Sequence, residues 1–230
     1  MKSKYLFVLK VVAMFVLIVF GFGISGNAAT SSYNINIQYK AEKAVIPEDF
    51  KADKKTRDAT IYVAEFIDTR QVDDKKIIGW VKVYGEKVPL FSKNDIPTRV
   101  VANGIKEYLK KAGYKVADSI VQWDLKEGTM PKEKGKVIIG GSIDELEITC
   151  WTGVFSNDYK ANLKLAIVVA DLAKGKILYK GNVESASSKT DVSFSEEQLG
   201  TEASNALGAA IEKIFEGKTV AQKIKESIIQ

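Results

Sequence analysis

The chain of 230 residues contains no histidine and a single cysteine. The missing histidines exclude Ser-His-Asp and Cys-His catalytic sites, histidine-bound zinc, and a side chain whose unperturbed pKa lies near neutral pH. A single thiol, Cys150, excludes an internal disulfide and a metal site built from several cysteines. We expect Cys150 to be buried in a strand, because free cysteine commonly packs as a small apolar side chain.

The sequence also lacks a dense basic region. Its net charge of +5 includes Lys2, Lys4 and Lys10, and it falls to +2 without these three lysines of the extreme N-terminus. Nucleic-acid-binding proteins usually present a strongly basic face, so we predict no nucleic-acid partner. We identify no motif for a cofactor or a metal ion and predict neither.

Residues 1–29 have the three parts of a secretory signal, namely lysines at the start, an unbroken apolar run and small residues at the end. The apolar stretch 11–24 would span about 21 Å as a helix, whereas the hydrocarbon core of a bilayer is about 30 Å thick. We therefore predict export to the periplasm or cell envelope, with cleavage after Ala28. A retained membrane anchor is the alternative.

The remaining chain is predicted to comprise an N-terminal strand and linker at 30–59 and an α+β envelope domain at 60–230. Apolar and polar residues alternate over 31–39, as they do in a half-buried strand. The stretch 40–59 is polar and is interrupted by Pro47, which favours a linker or long loop.

Strand-forming runs follow, and the longest predict an antiparallel meander at 137–151, 159–171 and 177–187 with one buried face. The pair Gly140-Gly141 in the first of these runs indicates a bulge or a close approach of two backbones. Shorter strands are predicted at 61–67, 77–84 and 88–91.

Two main helices are predicted from their terminal residues. The first has Asp95 as its N-cap, Pro97 near its first position and Gly113 after its end. The second begins with the capping box formed by Ser195 and Gln198, and a short C-terminal helix follows Gly217. The predicted fold is α+β, with a mainly antiparallel sheet, the two main helices packed on one face, and the short C-terminal helix.

These elements occur in an order that resembles the YajG-type family of bacterial envelope lipoproteins. The resemblance is carried by the strand and Asp-x-Arg turn at 60–70, the helix end at 109–116, the strand at 159–169 and the alanine-rich C-terminal helix. It implies an α+β domain in the cell envelope and supplies no catalytic residues. The lipid-attachment cysteine of the family is absent here.

The candidate partner-binding residues are Trp151, Phe155 and Tyr159, which crowd a turn between two predicted strands. Aromatic residues are enriched where proteins bind partners. The alternative is that these side chains fold back over the end of the core.

Two polar groups are also candidates. Asp68 and Arg70 end a predicted strand and either clamp a polar ligand or stabilise a local turn. Asp144, Glu145 and Glu147 include the paired carboxylates that a glycoside hydrolase requires, but we expect them to face lysines across a solvated strand pair.

Three functions follow from these residues. The first is a non-enzymatic envelope protein that binds a protein or an envelope polymer through the 150–159 loop or a sheet edge. The second is a binder of a small apolar or lipid-like ligand between sheet and helices, and the third is a hydrolase that uses only carboxylates. Peripheral membrane association and the oligomeric state stay open.

Overall fold

The computed structural model describes residues 32–132 and 134–229. The predicted export segment at 1–29 lies outside these residues. Among the residues described, no helix combines the length and the apolar character that crossing a bilayer requires.

The described residues form nine strands and three α-helices. The strands are β1 (Tyr33–Ile35), β2 (Thr60–Ala64), β3 (Ile67–Asp68), β4 (Ile77–Val83), β5 (Glu86–Ser92), β6 (Lys115–Val121), β7 (Val137–Thr152), β8 (Asn157–Asp171) and β9 (Lys176–Asp191). The helices are α1 (Pro97–Lys111), α2 (Glu196–Glu216) and α3 (Lys218–Ile229).

The sheet is organised around β7. One edge of β7 pairs along its length with antiparallel β8, which in turn pairs with antiparallel β9. The other edge pairs in succession with β2, β3 and β4, all parallel to β7. Beyond them, β6 pairs with β2, and β5 and β1 extend the sheet from β4. The sheet is therefore mixed but largely antiparallel, and the predicted α+β class is confirmed.

The main core lies where alternate residues of the long strands meet the helices. In β8, the odd-numbered residues from Tyr159 to Val169 are buried in one cluster with apolar residues of all three helices. Alternation places these side chains on one side of the strand. The packing of both main helices on a single face stays a prediction.

A smaller cluster contains even-numbered residues of the long strands, whose side chains lie on the other face of the sheet, including Ile138, Val168 and Ala170. Trp123 packs against them and donates its indole N–H to the carbonyl of Lys126 at 2.9 Å. The segment after β6 therefore covers part of the sheet that the main cluster leaves open.

The predicted helix ends are confirmed in part. Pro97 is the first residue of α1, and Gly113 adopts a left-handed φ of 91° just after the helix. Ser195 caps α2 by accepting a hydrogen bond from the backbone N–H of Gln198 at 3.1 Å. Asp95 is not the N-cap of α1. Ile96 occupies that position, and the Asp95 carboxylate accepts from the Ile96 N–H instead.

Gly141, the second glycine of the pair in β7, allows a close approach of two backbones. A Cβ atom added at Gly141 would collide with the carbonyl oxygen of Ala166 in β8 and with the ring of Phe66. A side chain at this position would force these neighbours apart, so glycine is required there.

The stretch between β1 and β2 is a long loop with one short 3-10 turn at Ala41–Lys43. Phe50 in this loop is completely buried and stacks on Phe215 of α2, with ring centroids 4.8 Å apart, and on Tyr108 of α1 at 5.8 Å. The loop is thus fixed to both main helices by one aromatic side chain.

Candidate functional site

Three loops meet at one end of the sheet. The parallel pairing of β4 and β7 sets Lys82 beside Trp151, and the Thr152 hydroxyl donates to the Lys82 carbonyl at 2.9 Å. The start of β8 lies between the ends of β7 and β9, because Asn157 pairs with both Thr152 and Asp191. The β4–β5, β7–β8 and β9–α2 loops are therefore neighbours.

These loops expose large apolar side chains that we call the loop-end surface. Its members, with the exposed fraction of each residue, are Tyr84 (98%), Trp151 (53%), Val154 (87%), Phe155 (89%) and Val192 (83%). Single exposed apolar residues are common on proteins, but a cluster of them is typical of a contact surface.

Trp151 is held in place by a cation. The Lys82 ammonium lies 3.4 Å from the centroid of the Trp151 ring. A cation over an exposed indole stabilises this geometry by about 0.5–1 kcal/mol. The ring is thus oriented before any partner arrives, while about half of the residue stays accessible.

Tyr84 occupies a backbone conformation that is unusual for its residue type. It precedes Gly85 in the two-residue turn between β4 and β5, and both residues have positive φ, 49° and 90°. Such turns favour Asn-Gly or Asp-Gly, because a bulky side chain is strained in the left-handed region. A fully exposed tyrosine at this position contributes nothing to the core, which favours a role at the surface.

Tyr159 lies in the core, although the sequence placed it with Trp151 and Phe155. Its ring is completely buried. Its hydroxyl donates to the Ser193 carbonyl and accepts from the Ser195 N–H, both at 2.9 Å. Tyr159 therefore fixes the loop that carries Val192 and the first turn of α2, and it offers no contact to a partner.

Cys150 is buried in β7, as expected. Burial raises the pKa of its thiol to about 11. Since the thiolate is the reactive form of cysteine, this thiol is unreactive near neutral pH.

The Asp68 and Arg70 pair forms an internal clamp. Arg70 is 3% exposed, and its guanidinium donates to Asp68 Oδ2 at 2.6 Å, to the Lys75 carbonyl at 2.6 Å and to the Ile77 carbonyl at 2.9 Å. Burial alone would raise the pKa of Asp68, but the hydrogen bonds and charge of Arg70 outweigh it and lower that pKa. The clamp closes the loop between β3 and β4 and leaves little donor capacity for a ligand.

The three carboxylates of β7 lie on an open surface. Asp144 sits at a bulge and accepts from the hydroxyls of Ser142 and Thr69 at 2.6 and 2.7 Å. Glu145 is opposite Lys164 and Glu147 is opposite Asn162. Both glutamates are exposed, as expected. The expected cross-strand lysine lies opposite Glu145 only, and this lysine, Lys164, pairs with Glu184.

The space between helices and sheet is small. A gap lined by residues of α1, β7, β8 and α2 has a volume of about 20 Å³, which is room for about one water molecule. In the part of the chain that the structure describes, no cluster of three acidic, cysteine or histidine side chains could hold a metal ion.

The sequence signalled only part of the loop-end surface. Trp151 and Phe155 stood out as aromatics at a turn, whereas Tyr84, Val154 and Val192 were not identified. Tyr84-Gly85 is recognisable as a turn dipeptide, but its position at the same end of the sheet as Trp151 follows from the parallel pairing of β4 with β7. No local pattern specifies that pairing.

No protein-family model matches the sequence, and no curated protein matches it. Solved structures do resemble it. XCC0632 from Xanthomonas campestris, a protein of the DUF330 family, is 9% identical and has a TM-score of 0.50 over 84% of this chain and 98% of its own.

Two further structures align less well. PelC from Paraburkholderia phytofirmans, solved as a dodecamer, is 13% identical with a TM-score of 0.38, covering 68% of this chain and 88% of its own. Lipoprotein GNA1162 from Neisseria meningitidis is 12% identical with a TM-score of 0.37, covering 69% and 99%. The likeness to XCC0632 shows a shared fold.

Proposed function

We propose that the chain is an exported, non-enzymatic envelope protein that binds a protein partner through the loop-end surface. The observation that carries this proposal is the clustering of five large, exposed apolar residues, four on three adjacent loops and Trp151 at the end of β7. Burying such side chains against a partner is favourable by about 25 cal/mol for each Å² of apolar area.

The local supports of this surface fit the same role. Lys82 orients Trp151, and Tyr159 anchors the loop of Val192 from inside the core. A contact surface that is ordered in advance loses less conformational entropy on binding. The envelope location rests on the signal-like residues 1–29 and on the resemblance to YajG-type lipoproteins.

The two alternative functions have weaker support. A gap of about 20 Å³ does not admit a lipid-like ligand without repacking of the core. A carboxylate hydrolase requires two carboxyl groups across a cleft, whereas Glu145 and Glu147 are exposed along one strand.

The test is affinity capture from a cell-envelope extract with the wild-type protein and the double variant Trp151→Ala with Phe155→Ala. We expect the variant to lose a protein that wild type retains. The matched control, Val45→Ala with Ile229→Ala, removes two exposed apolar residues outside the loop-end surface and should retain that protein. The proposal is wrong if the variant captures everything that wild type captures, or if the captured species is a protease-resistant polymer.

A further inference from the structure

The outer edge of β9 has no strand partner. β9 is 16 residues long and pairs only with β8 among the described residues. An unpaired edge presents a row of free backbone donors and acceptors and is a template for another strand.

The register identifies which backbone groups face outward. At the tip of the β7–β8 hairpin the Gly153 N–H donates to the Ser156 carbonyl at 2.8 Å. Because bonded and non-bonded pairs alternate in an antiparallel ladder, Asp158 then bonds to β7, and its neighbours Asn157 and Tyr159 face β9. The odd-numbered residues of β9 from 179 to 191 therefore bond to β8, and the even-numbered residues from 180 to 190 face away.

A second observation agrees with this assignment. The Lys213 ammonium donates to the carbonyl of Glu184 at 3.2 Å, so this even-numbered carbonyl is directed away from β8. A bulge between Ile177 and Tyr179 shifts the alternation by one residue, so the N–H of Ile177 also faces away from β8. This N–H donates to Glu127 at 2.8 Å.

The middle of this edge lacks two of the features that usually prevent strand addition, proline and bulges. Proteins also protect edges with charged side chains, and here the charges are of both signs, Lys180 and Glu184. The stretch 179–191 contains no proline, and its register with β8 is uninterrupted. Asn182, Ala186 and Ser188 expose only small or neutral side chains.

We propose that two copies of this chain pair antiparallel through their β9 edges, with Asn182 on the two-fold axis. In this register Lys180 lies opposite Glu184 of the second copy, and Glu184 lies opposite Lys180 of the second copy. The side chains of an antiparallel pair that are opposite each other share a face of the sheet, so the dimer gains two equivalent ion pairs. The strands are thus complementary to themselves in charge.

Lys180 and Glu184 are both able to form these ion pairs with the second copy. Lys180 is exposed and forms no ion pair with another described residue. Glu184 is exposed and bonds Lys164 at 2.7 Å through one carboxylate oxygen, which leaves the other oxygen for a second lysine. Asn182, at the centre of this interface, lies ten residues before Val192, about 33 Å along an extended strand, and none of the residues of the loop-end surface belongs to β9.

A charge-swap cycle measured by sedimentation equilibrium tests the pairing on protein purified after expression of the full chain. We expect a concentration-dependent dimer for wild type. Lys180→Glu and Glu184→Lys should each weaken the dimer about tenfold, since two-fold symmetry turns both attractive pairs into repulsive ones. The double variant Lys180→Glu with Glu184→Lys should restore most of the affinity, but not all of it, because Glu184→Lys also removes the ion pair with Lys164.

Lys176→Glu is the matched control, because it makes the same charge change on β9 opposite a serine, and it should leave the affinity within about twofold of wild type. Circular dichroism of each variant confirms that it is folded. The proposal is overturned if wild type is monomeric at all concentrations, or if the double variant stays as weak as the single variants. Loss of partner capture by the Trp151 and Phe155 variant leaves this result unaffected, so the two proposals fail separately.

Discussion

At the residue scale, Arg70 was a candidate for binding a polar ligand, but in the structure it stabilises a loop. Its guanidinium is buried and donates to the Asp68 carboxylate and to two backbone carbonyls of the loop that follows. These carbonyls lie at Lys75 and Ile77, so a single side chain fixes both the end of β3 and the start of β4.

Removing this side chain should destabilise the fold. We expect Arg70→Ala to lower the free energy of unfolding by about 3 kcal/mol, because a mostly buried carboxylate loses its hydrogen-bonded partner and keeps only Lys75, at 3.6 Å. Chemical denaturation measures this loss. Arg57→Ala is the control, since Arg57 is exposed and its contact with Asp58 is 3.9 Å long, and it should change stability by less than about 0.5 kcal/mol. Equal effects of the two changes would contradict the clamp.

Asp68 adds a pH dependence whose sign follows from its lowered pKa. The folded-state pKa lies below the ordinary value of 3.8, so the stabilisation is fully present above pH 3.8 and is lost as pH falls through the folded pKa. We expect Asp68→Asn to flatten the fall of unfolding free energy below pH 4. Asp73→Asn, an exposed carboxylate in the same loop, should keep the wild-type slope, and a wild-type slope in both variants would exclude Asp68 as a source.

At the element scale, the loop between β1 and β2 is fixed by Phe50, which lies between α1 and α2. We expect Phe50→Ala to cost about 3–5 kcal/mol, the usual range for removing a buried aromatic ring. Phe155→Ala removes an equal side chain from the surface and should cost less than about 0.5 kcal/mol. Thermal or chemical unfolding of both variants measures the difference, and similar losses would contradict the burial of Phe50.

The elements with local signals were predictable from the sequence. Pro97 and Gly113 mark the ends of α1, Ser195 marks the start of α2, and the alternation of β8 predicts its buried side. Each of these signals acts within a few residues, where backbone sterics and hydrogen bonding decide the conformation.

Strand pairings between segments far apart in the chain could not be predicted from such local signals. The parallel pairing of β2, β3 and β4 with β7 joins segments that are far apart in the chain, and no turn between them sets the register. The burial of Phe50 depends on contacts with Tyr108 and Phe215, which are also far away in the chain. Lys82 lies beside Trp151 only because β4 pairs with β7. The N-cap of α1 was misassigned because the Asp95 carboxylate bonds its neighbour's N–H instead of reaching into the helix.

At the scale of the whole molecule, the chain has a predicted export segment at 1–29 and two proposed contact surfaces, the loop-end surface and the β9 edge. The predicted export segment implies a processed protein. We expect the mature protein isolated from cells to begin at Ala29, as measured by N-terminal sequencing or intact mass. An intact Met1 in the cytosolic fraction would contradict export.

The most direct test of the central claim is site-specific photo-crosslinking in living cells. A photoreactive residue in place of Tyr84 or of Phe155 samples two different loops of the loop-end surface, and one in place of Val45 samples an exposed apolar position outside it. If the loop-end surface binds a protein, positions 84 and 155 yield adducts with the same partner protein, adding Trp151→Ala removes these adducts, and position 45 yields none. Equal adducts at position 45, or no protein adduct at either loop, would contradict this claim.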